Sequence, residues 1–447
     1  MRRSCVVALL CWAALWAPAV PATSAPPEAR SLTLKNGLSV LLVPDSRAGA
    51  VDVSIWYPAG VRYERPGILG ISRLLERMSS RGAVPGGAEE LRRRIDQEGG
   101  TTMSYTSADY TCYAHTVPRA ALAMVLRWEA GRLGFRPAQA MLDQDRAAVV
   151  QENRARALAG PLELGLQRLY AAAFGSHPYR WPVTGREDDL QRITLAECER
   201  FLRDRYAPDQ ASVAIVGDFD PDQAIEELRS TFGAVRRHGE RYAVSLEREP
   251  SGERRAVERG DSQVPLMVVG WRVPAGAAAD APALDLLSAL LSRGTASRLG
   301  TTQADGGVPG LFAQTGRDAR RDATMFWAAS AARSAGDTTA VERWMVGEIE
   351  RLASEPVSSE ELDRARRRLE VGLLLGRQSA HDRGQALGQA QALTGDWNDA
   401  QRQLARLRAL TPADVQEAAA RTLTSTRRVV VWLTPGTSEA GEAGGRP

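Results

Sequence analysis

The side chains with the clearest chemical potential occupy one predicted helical turn, where Arg73, Glu76 and Arg77 follow each other at helix spacing. Residues three and four positions apart share one face of a helix, so these three side chains can contact each other. A guanidinium stays protonated and offers no lone pair, which suits it to carboxylates and not to metal ions. This turn therefore predicts charge pairing, or a solvated charged face, rather than a metal-binding pair.

The other groups that could do chemistry are scattered along the chain. No two histidines have the spacing of helix-borne ligands, and the sequence has no Cys-x-x-Cys pair. Nor does a nucleophile elbow, a Walker loop or a dinucleotide fingerprint occur between a strand and a helix. We expect the histidines to be hydrogen-bonded structural residues with no metal site among them: His115, His177, His238 and His381.

Length and composition are those of a globular protein with two or three domains. The chain has 447 residues, of which 44 % are hydrophobic and 25 % charged. Its formal net charge is +3 and aromatic residues make up 6 %, so it offers neither a strong positive field nor a stacking surface for nucleic acid. We therefore expect no nucleic-acid partner.

The elements that must position these residues occur twice. Corresponding landmarks lie 216, 217 and 216 residues apart: Pro58 and Pro274 after the strand-like runs 51–57 and 266–273, Thr194 and Thr411 at a helix cap, and Val213 and Val429 in an apolar strand. A shared offset of this kind predicts a duplicated domain. We expect the two domains to span 30–235 and 257–435, with a polar linker at 236–256 and a flexible tail at 436–447.

Each half is predicted to have an α+β fold. The first opens with alternating strands at 31–34 and 38–43, which the hairpin signal Lys35-Asn36-Gly37 joins. Apolar residues at helical spacing follow later in the same half: Leu162, Leu166, Leu169 and Ala173.

The first residues have the features of a secretory signal peptide. Arg2 and Arg3 precede an apolar stretch at 6–16 that is too short to span a bilayer, and small residues follow it. We expect residues 1–22 to be removed by cleavage after Ala22 and the mature protein to be exported, to a periplasm or out of the cell. No later run of about 18 apolar residues occurs, so we expect no transmembrane segment after cleavage.

Two cysteines remain after that cleavage. Cys112 lies in a strand-like run and Cys198 in a helix-like one, so the sequence leaves open whether they pair. We expect buried free thiols, although an exported chain could also oxidise the pair.

The segment 70–82, GISRLLERMSSRG, resembles the helix of the M16 metallopeptidases, the family of pitrilysin, insulinase and mitochondrial processing peptidase. In that family the helix carries an inverted zinc motif, H-x-x-E-H. Further matching motifs are Gly99-Gly100, Asp109-Tyr110-Thr111, Val149-Val150-Gln151-Glu152 and the stretch HPYRWPVTG at 177–185. The resemblance implies two homologous M16-type domains, each a mostly antiparallel sheet packed with helices.

Two positions of the zinc motif differ from the family pattern. Arg73 and Arg77 stand where the resemblance places the two zinc-binding histidines. Glu76, at the position of the general base, and Glu152, at that of the third zinc ligand, are retained. We expect no bound metal and no catalytic residue, and an ion-pair cluster of these four residues in the place of the zinc ion. A solvated helix face, with both arginines pointing away from Glu152, is the alternative.

The second half also departs from the family pattern. Active members, or their partner subunits, place an arginine and a tyrosine after a Ser-Arg-Leu that matches Ser297-Arg298-Leu299. Here the next stretch, 300–310, is rich in glycine, has no arginine, and leads to an apolar residue at the tyrosine position. On the edge strand that binds substrate in the family, Met103 replaces the usual asparagine. Both parts of the catalytic apparatus are therefore altered.

These observations favour one function and leave two others open. We expect an exported, non-catalytic M16 homologue that binds extended peptides along a sheet edge, either alone, as a homodimer, or with a second M16-type subunit that carries zinc. One alternative is an active zinc endopeptidase with an atypical ligand set, the only case in which the chain itself would need zinc. The other is a structural or assembly protein of the cell envelope.

Overall fold

The computed structural model describes residues 29–436, apart from 83–86, 237, 241, 245–246, 261, 277 and 305–309. These residues form two α+β halves, each with one sheet and one large apolar core. The expected leader, 1–22, and all but the first residue of the expected tail, 436–447, lie outside the described residues. Within the described part, no helix combines the length and the apolar character that crossing a membrane requires.

The first half contains a six-stranded sheet. Its strands are β1 (Arg30–Thr33), β2 (Ser39–Pro44), β3 (Val51–Tyr57), β4 (Thr101–Thr106), β5 (Thr111–Val117) and β6 (Ser212–Gly217). They lie in the order β1-β2-β6-β3-β5-β4, and all neighbours are antiparallel except β2 and β6. Every residue of β3 and β6 is buried, because the centre of this sheet is covered on both faces.

The helices of the first half mostly cover one face of this sheet. They are α1 (Ile71–Gly82), α2 (Gly87–Gln97), α3 (Leu122–Arg132), α4 (Gln139–Ala159), α5 (Pro161–Ala173), α6 (Glu187–Arg192), α7 (Leu195–Arg205) and α8 (Pro221–Ser230). All of them except α5 contribute buried side chains to the apolar core of this half. As predicted, Thr194 caps α7, in a capping box with Glu197.

The second half repeats this plan. Its strands are β7 (Arg254–Gly260), β8 (Leu266–Val273), β9 (Gln314–Arg317), β10 (Thr324–Ala331) and β11 (Arg428–Pro435). Its helices are α9 (Ala281–Ser292), α10 (Arg298–Ala304), α11 (Thr338–Ser354), α12 (Ser359–Leu375), α13 (Ala380–Thr394), α14 (Asp399–Ala409) and α15 (Pro412–Thr422). The order β7-β11-β8-β10-β9, in which β7 and β11 alone are parallel neighbours, matches β2-β6-β3-β5-β4 in the first sheet. The predicted duplication and the α+β fold are confirmed.

Local predictions are confirmed in most places, and one boundary is corrected. The strands β1 and β2 form the predicted hairpin, and Gly37 in its turn has a φ of 90°, which a side chain would disfavour. The second sheet begins at Arg254, inside the stretch 236–256 that was predicted as linker. No residue of β7 is fully buried, so this strand lacks the apolar alternation by which a strand is recognised.

One helix from each half packs on the sheet of the other half. The helix α5 lies on β8 and β11, and α13 lies on β3 and β6. Glycines permit close approaches: a Cβ on Gly165 would lie 2.6 Å from Val268 Cγ2, and one on Gly384 would lie 2.2 Å from Asp52 Oδ2. This exchange of helices joins the two halves along both sheets.

Gly388→Ala is expected to disturb the packing of α13. A Cβ at this position would lie 2.0 Å from Trp56 Nε1, and Trp56 is only 1 % exposed, so its ring has no room to move. We expect a loss of about 2–3 kcal/mol in the free energy of unfolding. In the control Gly347→Ala, the new Cβ meets nothing within 4 Å and favours the helix. Equal melting temperatures for the two variants in circular dichroism would show that α13 does not pack this closely.

The two cysteines of the described residues are buried and unpaired, as expected. Cys112 lies in β5 and Cys198 in α7. Burial raises the pKa of the Cys198 thiol to about 12 and that of Cys112 well above its ordinary value. Both groups therefore stay protonated and unreactive near neutral pH.

Candidate functional site

The start of α1, the helix that carries the candidate residues, is held in place by Glu64. Its carboxylate accepts hydrogen bonds from the N–H groups of Gly70 at 2.7 Å and Ser72 at 2.9 Å. These are donors that a helix start leaves without intrahelical partners. A Cβ on Gly185 would lie 2.4 Å from Gly70 Cα, so only glycine lets the end of HPYRWPVTG approach the helix.

The structure brings the four predicted site residues together. Arg73 donates hydrogen bonds to Glu76 and, at 2.8 Å, from Nη2 to Glu152 Oε2. Arg77 donates to the other oxygen of Glu152. The predicted contacts are therefore present, and the arginines do not point away from Glu152.

Two residues that the sequence reasoning missed extend this cluster. Asp145, on α4, is fully buried and accepts hydrogen bonds from Arg77 Nε at 3.0 Å and Arg81 Nη1 at 2.7 Å. Three guanidiniums thus face three carboxylates, and their formal charges cancel. Asp145 lies two helical turns before Glu152, and Arg81 lies one turn after Arg77. This spacing is the signal that could have indicated both residues.

Glu76, at the position of the general base, also accepts hydrogen bonds from the first sheet. Besides Arg73, its carboxylate accepts a hydrogen bond from Ser104 Oγ at 2.7 Å and one from Thr106 Oγ1 at 3.0 Å. Both hydroxyls belong to β4, and Glu76 is only 2 % exposed. The carboxylate therefore links α1 to the edge of the sheet.

The charges of the cluster do not fit a zinc ion. Burial would lower the pKa of Arg73, but Glu76 and Glu152 outweigh this effect and raise that pKa above its ordinary value. Protein zinc sites use thiolates, imidazoles and carboxylates, whereas a guanidinium has no lone pair to give. The remaining candidates, the carboxylates, already bind the arginines. Across the described ranges, no group of three or more His, Cys, Asp or Glu side chains is arranged to hold a metal.

The outer strands of the two sheets differ in whether their edges are open. In the first sheet β4 pairs with β5, and among the described residues no further hydrogen bond reaches its backbone. In the second sheet the Thr315 N–H donates to Ser292 Oγ at 3.1 Å, and the Thr315 carbonyl accepts from Ser288 Oγ at 3.1 Å. Helix α9 therefore occupies the edge of β9, whereas that of β4 can accept a further strand.

A cavity of about 360 Å³ opens beside this edge, between the two halves. Arg73 and the end of β4 form one side, and α5 and the turn between β9 and β10 form the other. From that turn Arg320 places its guanidinium 3.7 Å from the centre of the Tyr170 ring. The open strand and the cavity therefore adjoin the arginine cluster.

Motif residues of the first half hold the turn between β9 and β10 in place, a role that the sequence reasoning missed. Asp322 accepts a hydrogen bond from Arg62 Nε at 2.6 Å and lies 3.1 Å from His177 Nε2. Burial would raise the pKa of Asp322, but these two neighbours lower it to about 2. Tyr179 donates to Asp109 at 2.5 Å beside the same turn. The motifs at 109–111 and 177–185 therefore join the halves.

None of the four histidines belongs to the arginine cluster. Each lies beside one carboxylate, as expected of hydrogen-bonded structural residues: His115 with Glu129, His177 with Asp322, His238 with Asp209 and His381 with Asp52.

The other positions that were compared with the family pattern are Arg298, the altered stretch 300–310 that follows it, and Met103 of the first half. Arg298 binds Glu361 through two hydrogen bonds, at 2.8 and 3.1 Å. Residues 305–309 of the glycine-rich stretch lie outside the described ranges. Met103 on β4 is 44 % exposed, so it lies on the accessible part of the open strand.

Two family models match the chain. The model described as Insulinase (Peptidase family M16) matches residues 39–180, and the one described as Peptidase M16 inactive domain matches residues 192–369. Together these ranges cover well over half of the chain.

Individual proteins agree with this assignment. The zinc protease PqqE of Helicobacter pylori is 28 % identical over 364 residues, which are 80 % of this chain and 82 % of that protein. The crystal structure of a protease from Helicobacter pylori is 26 % identical with a TM-score of 0.86, covering 92 % of this chain and 100 % of that one. A chain of complex III from Candida albicans, 14 % identical with a TM-score of 0.76 over 91 % of this chain and 95 % of its own, shares the fold. The chain therefore belongs to the M16 peptidase family.

Proposed function

We propose that this chain is an exported, non-catalytic M16 homologue that binds extended peptides, either alone or beside a zinc-bearing M16 subunit. The observation that carries the proposal is the pairing of Arg73 and Arg77 with Glu152. Cations stand at the two histidine positions of the family motif, and the retained carboxylates neutralise them. Glu76 accepts three hydrogen bonds and serves as a structural partner of Arg73, not as a base.

The open edge of β4 supports peptide binding. An extended peptide can add to a sheet edge through main-chain hydrogen bonds, which tolerate many sequences, while alternate side chains enter neighbouring pockets. Here the 360 Å³ cavity adjoins the end of β4 and offers such a pocket. Arg73 lines the same side of the cavity as β4, and its charge is paired with Glu76 and Glu152.

The leader-like residues and one relative support the rest of the proposal. The features of residues 1–22 are those of a signal peptide, so we place the protein in a periplasm or outside the cell. The complex III chain shows that an M16-type fold can occur within a larger assembly, which supports a partner subunit. In a homodimer, a second copy of this chain would be that partner subunit.

Hydrogen exchange of the full chain with a long unstructured peptide, acetylated and amidated at its ends, tests the proposal. We expect the amides of β4 (Thr101–Thr106) that point away from β5 to gain protection, and those of β9 (Gln314–Arg317) to stay unchanged because α9 already covers that edge. No protection at β4 would remove the peptide-binding part of the proposal. Cleavage of the peptide that a chelator stops would instead establish the zinc endopeptidase alternative.

A further inference from the structure

The second half has a cavity of its own, away from β4. It measures about 530 Å³ and lies between α9, α12, α13 and α14. Its apolar lining comprises Leu369, Leu373, Leu393, Leu404 and Leu407. A cavity of this size holds a ligand of roughly three or four residues.

One helix that lines this cavity, α12, ends in an exposed apolar turn, from which Leu373 enters the lining. Of the eight large apolar side chains that are exposed among the described residues, four lie in the last turn of α12: Val371, Leu373, Leu374 and Leu375, at 52, 37, 62 and 58 %. A contiguous exposed apolar turn is unusual on a soluble surface and marks a contact site.

The polar groups of the cavity favour a carboxylate. Arg317 binds Asp285 through Nε and Nη2, both at 2.9 Å, while its Nη1 is buried without a partner. Arg377 also lines the cavity; burial lowers its pKa, and no acidic side chain of the described residues pairs with it. Asp399, the other lining acid, already binds Arg402 at 3.2 Å. The cavity therefore has spare cationic donors and no spare carboxylate.

A further lining group favours a peptide over a simple fatty acid. Gln403 Oε1 is buried and has no hydrogen-bond partner. An amide N–H of a peptide would satisfy it, whereas an alkyl chain has no donor. A second copy of the chain fits poorly, because four exposed side chains offer far less than the roughly 800 Å² per partner of a stable interface.

We propose that this cavity binds the C-terminal end of an apolar peptide. Its carboxylate would lie against Arg377 and Arg317 Nη1, and its side chains against the leucines of the lining. This site goes beyond the proposed function, because it lies in the second half and binds the end of a peptide chain. The edge of β4, in contrast, binds the backbone of an extended peptide.

Fluorescence anisotropy with the full chain tests the inference. The probe is an N-terminally labelled Ala-Gly-Leu-Leu with a free carboxylate, compared with its amide. We expect the acid to bind at least about tenfold more tightly, since a charge-assisted hydrogen bond is lost in the amide. Arg377→Gln should abolish this difference.

A variant that fills the cavity separates binding from folding. A Cβ on Gly372, which lines the cavity in α12, meets nothing within 4 Å, so Gly372→Leu should keep the fold and abolish binding of the acid. Gly347→Leu, also unobstructed, is the control and should bind normally.

Four results would overturn the inference. They are equal binding of acid and amide, no binding of either, an undiminished affinity in Gly372→Leu, and a change of oligomeric state in that variant, which would indicate a self-interface. Binding of decanoate without binding of the peptide acid would identify an amphiphile site instead. Protection of the β4 amides by the long amidated peptide should persist in Gly372→Leu, so the two sites are judged separately.

Discussion

Replacing both Arg73 and Arg77 with histidine is expected to give the chain about one zinc ion per molecule. The two positions are four residues apart on α1, so two imidazoles there would share one helix face. Both arginines already contact Glu152, which places that carboxylate next to both positions. Two imidazoles and a carboxylate are a sufficient set of protein ligands for zinc. Metal analysis of the desalted variant gives the result directly.

The matched control replaces the same two residues with glutamine. Arg73→Gln with Arg77→Gln removes the cations and supplies no imidazole, so we expect it to bind no zinc. If the glutamine variant bound as much zinc as the histidine variant, another ligand set would be present. If the histidine variant folded and bound none, the assignment of these two positions to the zinc motif would be wrong.

Arg132→Met is expected to cost about 3–5 kcal/mol in the free energy of unfolding, because it removes the guanidinium that neutralises a buried carboxylate. Glu129 is fully buried, and Arg132, at 2 % exposure, donates to it at 2.6 and 2.8 Å. The Arg132 guanidinium also lies 3.6 Å from the centre of the Tyr113 ring. Urea denaturation measures the loss. In the control Arg127→Met, the pair with Glu227 is exposed on the arginine side, and we expect a change within about 1 kcal/mol.

The same pair predicts a pH dependence. Burial would raise the pKa of Glu129, but Arg132 and His115 outweigh it and lower that pKa to about 2, below its ordinary value of 4.5. The pair therefore stabilises the fold above pH 4.5, and its contribution falls as the pH drops from 4.5 towards 2. We expect the stability difference between Arg132→Met and the unmodified chain to shrink over this range. A difference that stays constant on acidification would contradict the assignment.

Local signals account for the parts of the fold that the sequence predicted. Val51–Tyr57 and Leu266–Val273 match their predicted strands residue for residue, because each is a buried, largely apolar run followed by Pro-Ala-Gly. The helix caps at Thr194 and Thr411 were predictable for the same reason, because each depends on a residue only three positions later. The strand Arg254–Gly260 was missed because its side chains are largely exposed and its place is set by pairing with β11.

The contacts of the candidate site also fall into two groups, those that the sequence predicts and those that depend on how distant parts of the chain pack. The contact of Arg73 with Glu76 follows from helix spacing, and that with Glu152 was expected from the family resemblance. Asp145 was missed because it lies on another helix, 68 residues from Arg77. The contacts of Asp322 with Arg62 and His177 depend on how the two halves pack, which no local pattern reports.

The zinc content of the unmodified mature chain, purified with zinc and then desalted, tests the central claim most directly. Since two guanidiniums occupy the ligand positions and the carboxylates neutralise them, we predict less than about a tenth of an equivalent. A stoichiometric ion that a chelator releases would contradict the account. It would mean that the chain holds zinc through other ligands and that the peptidase function has to be considered first.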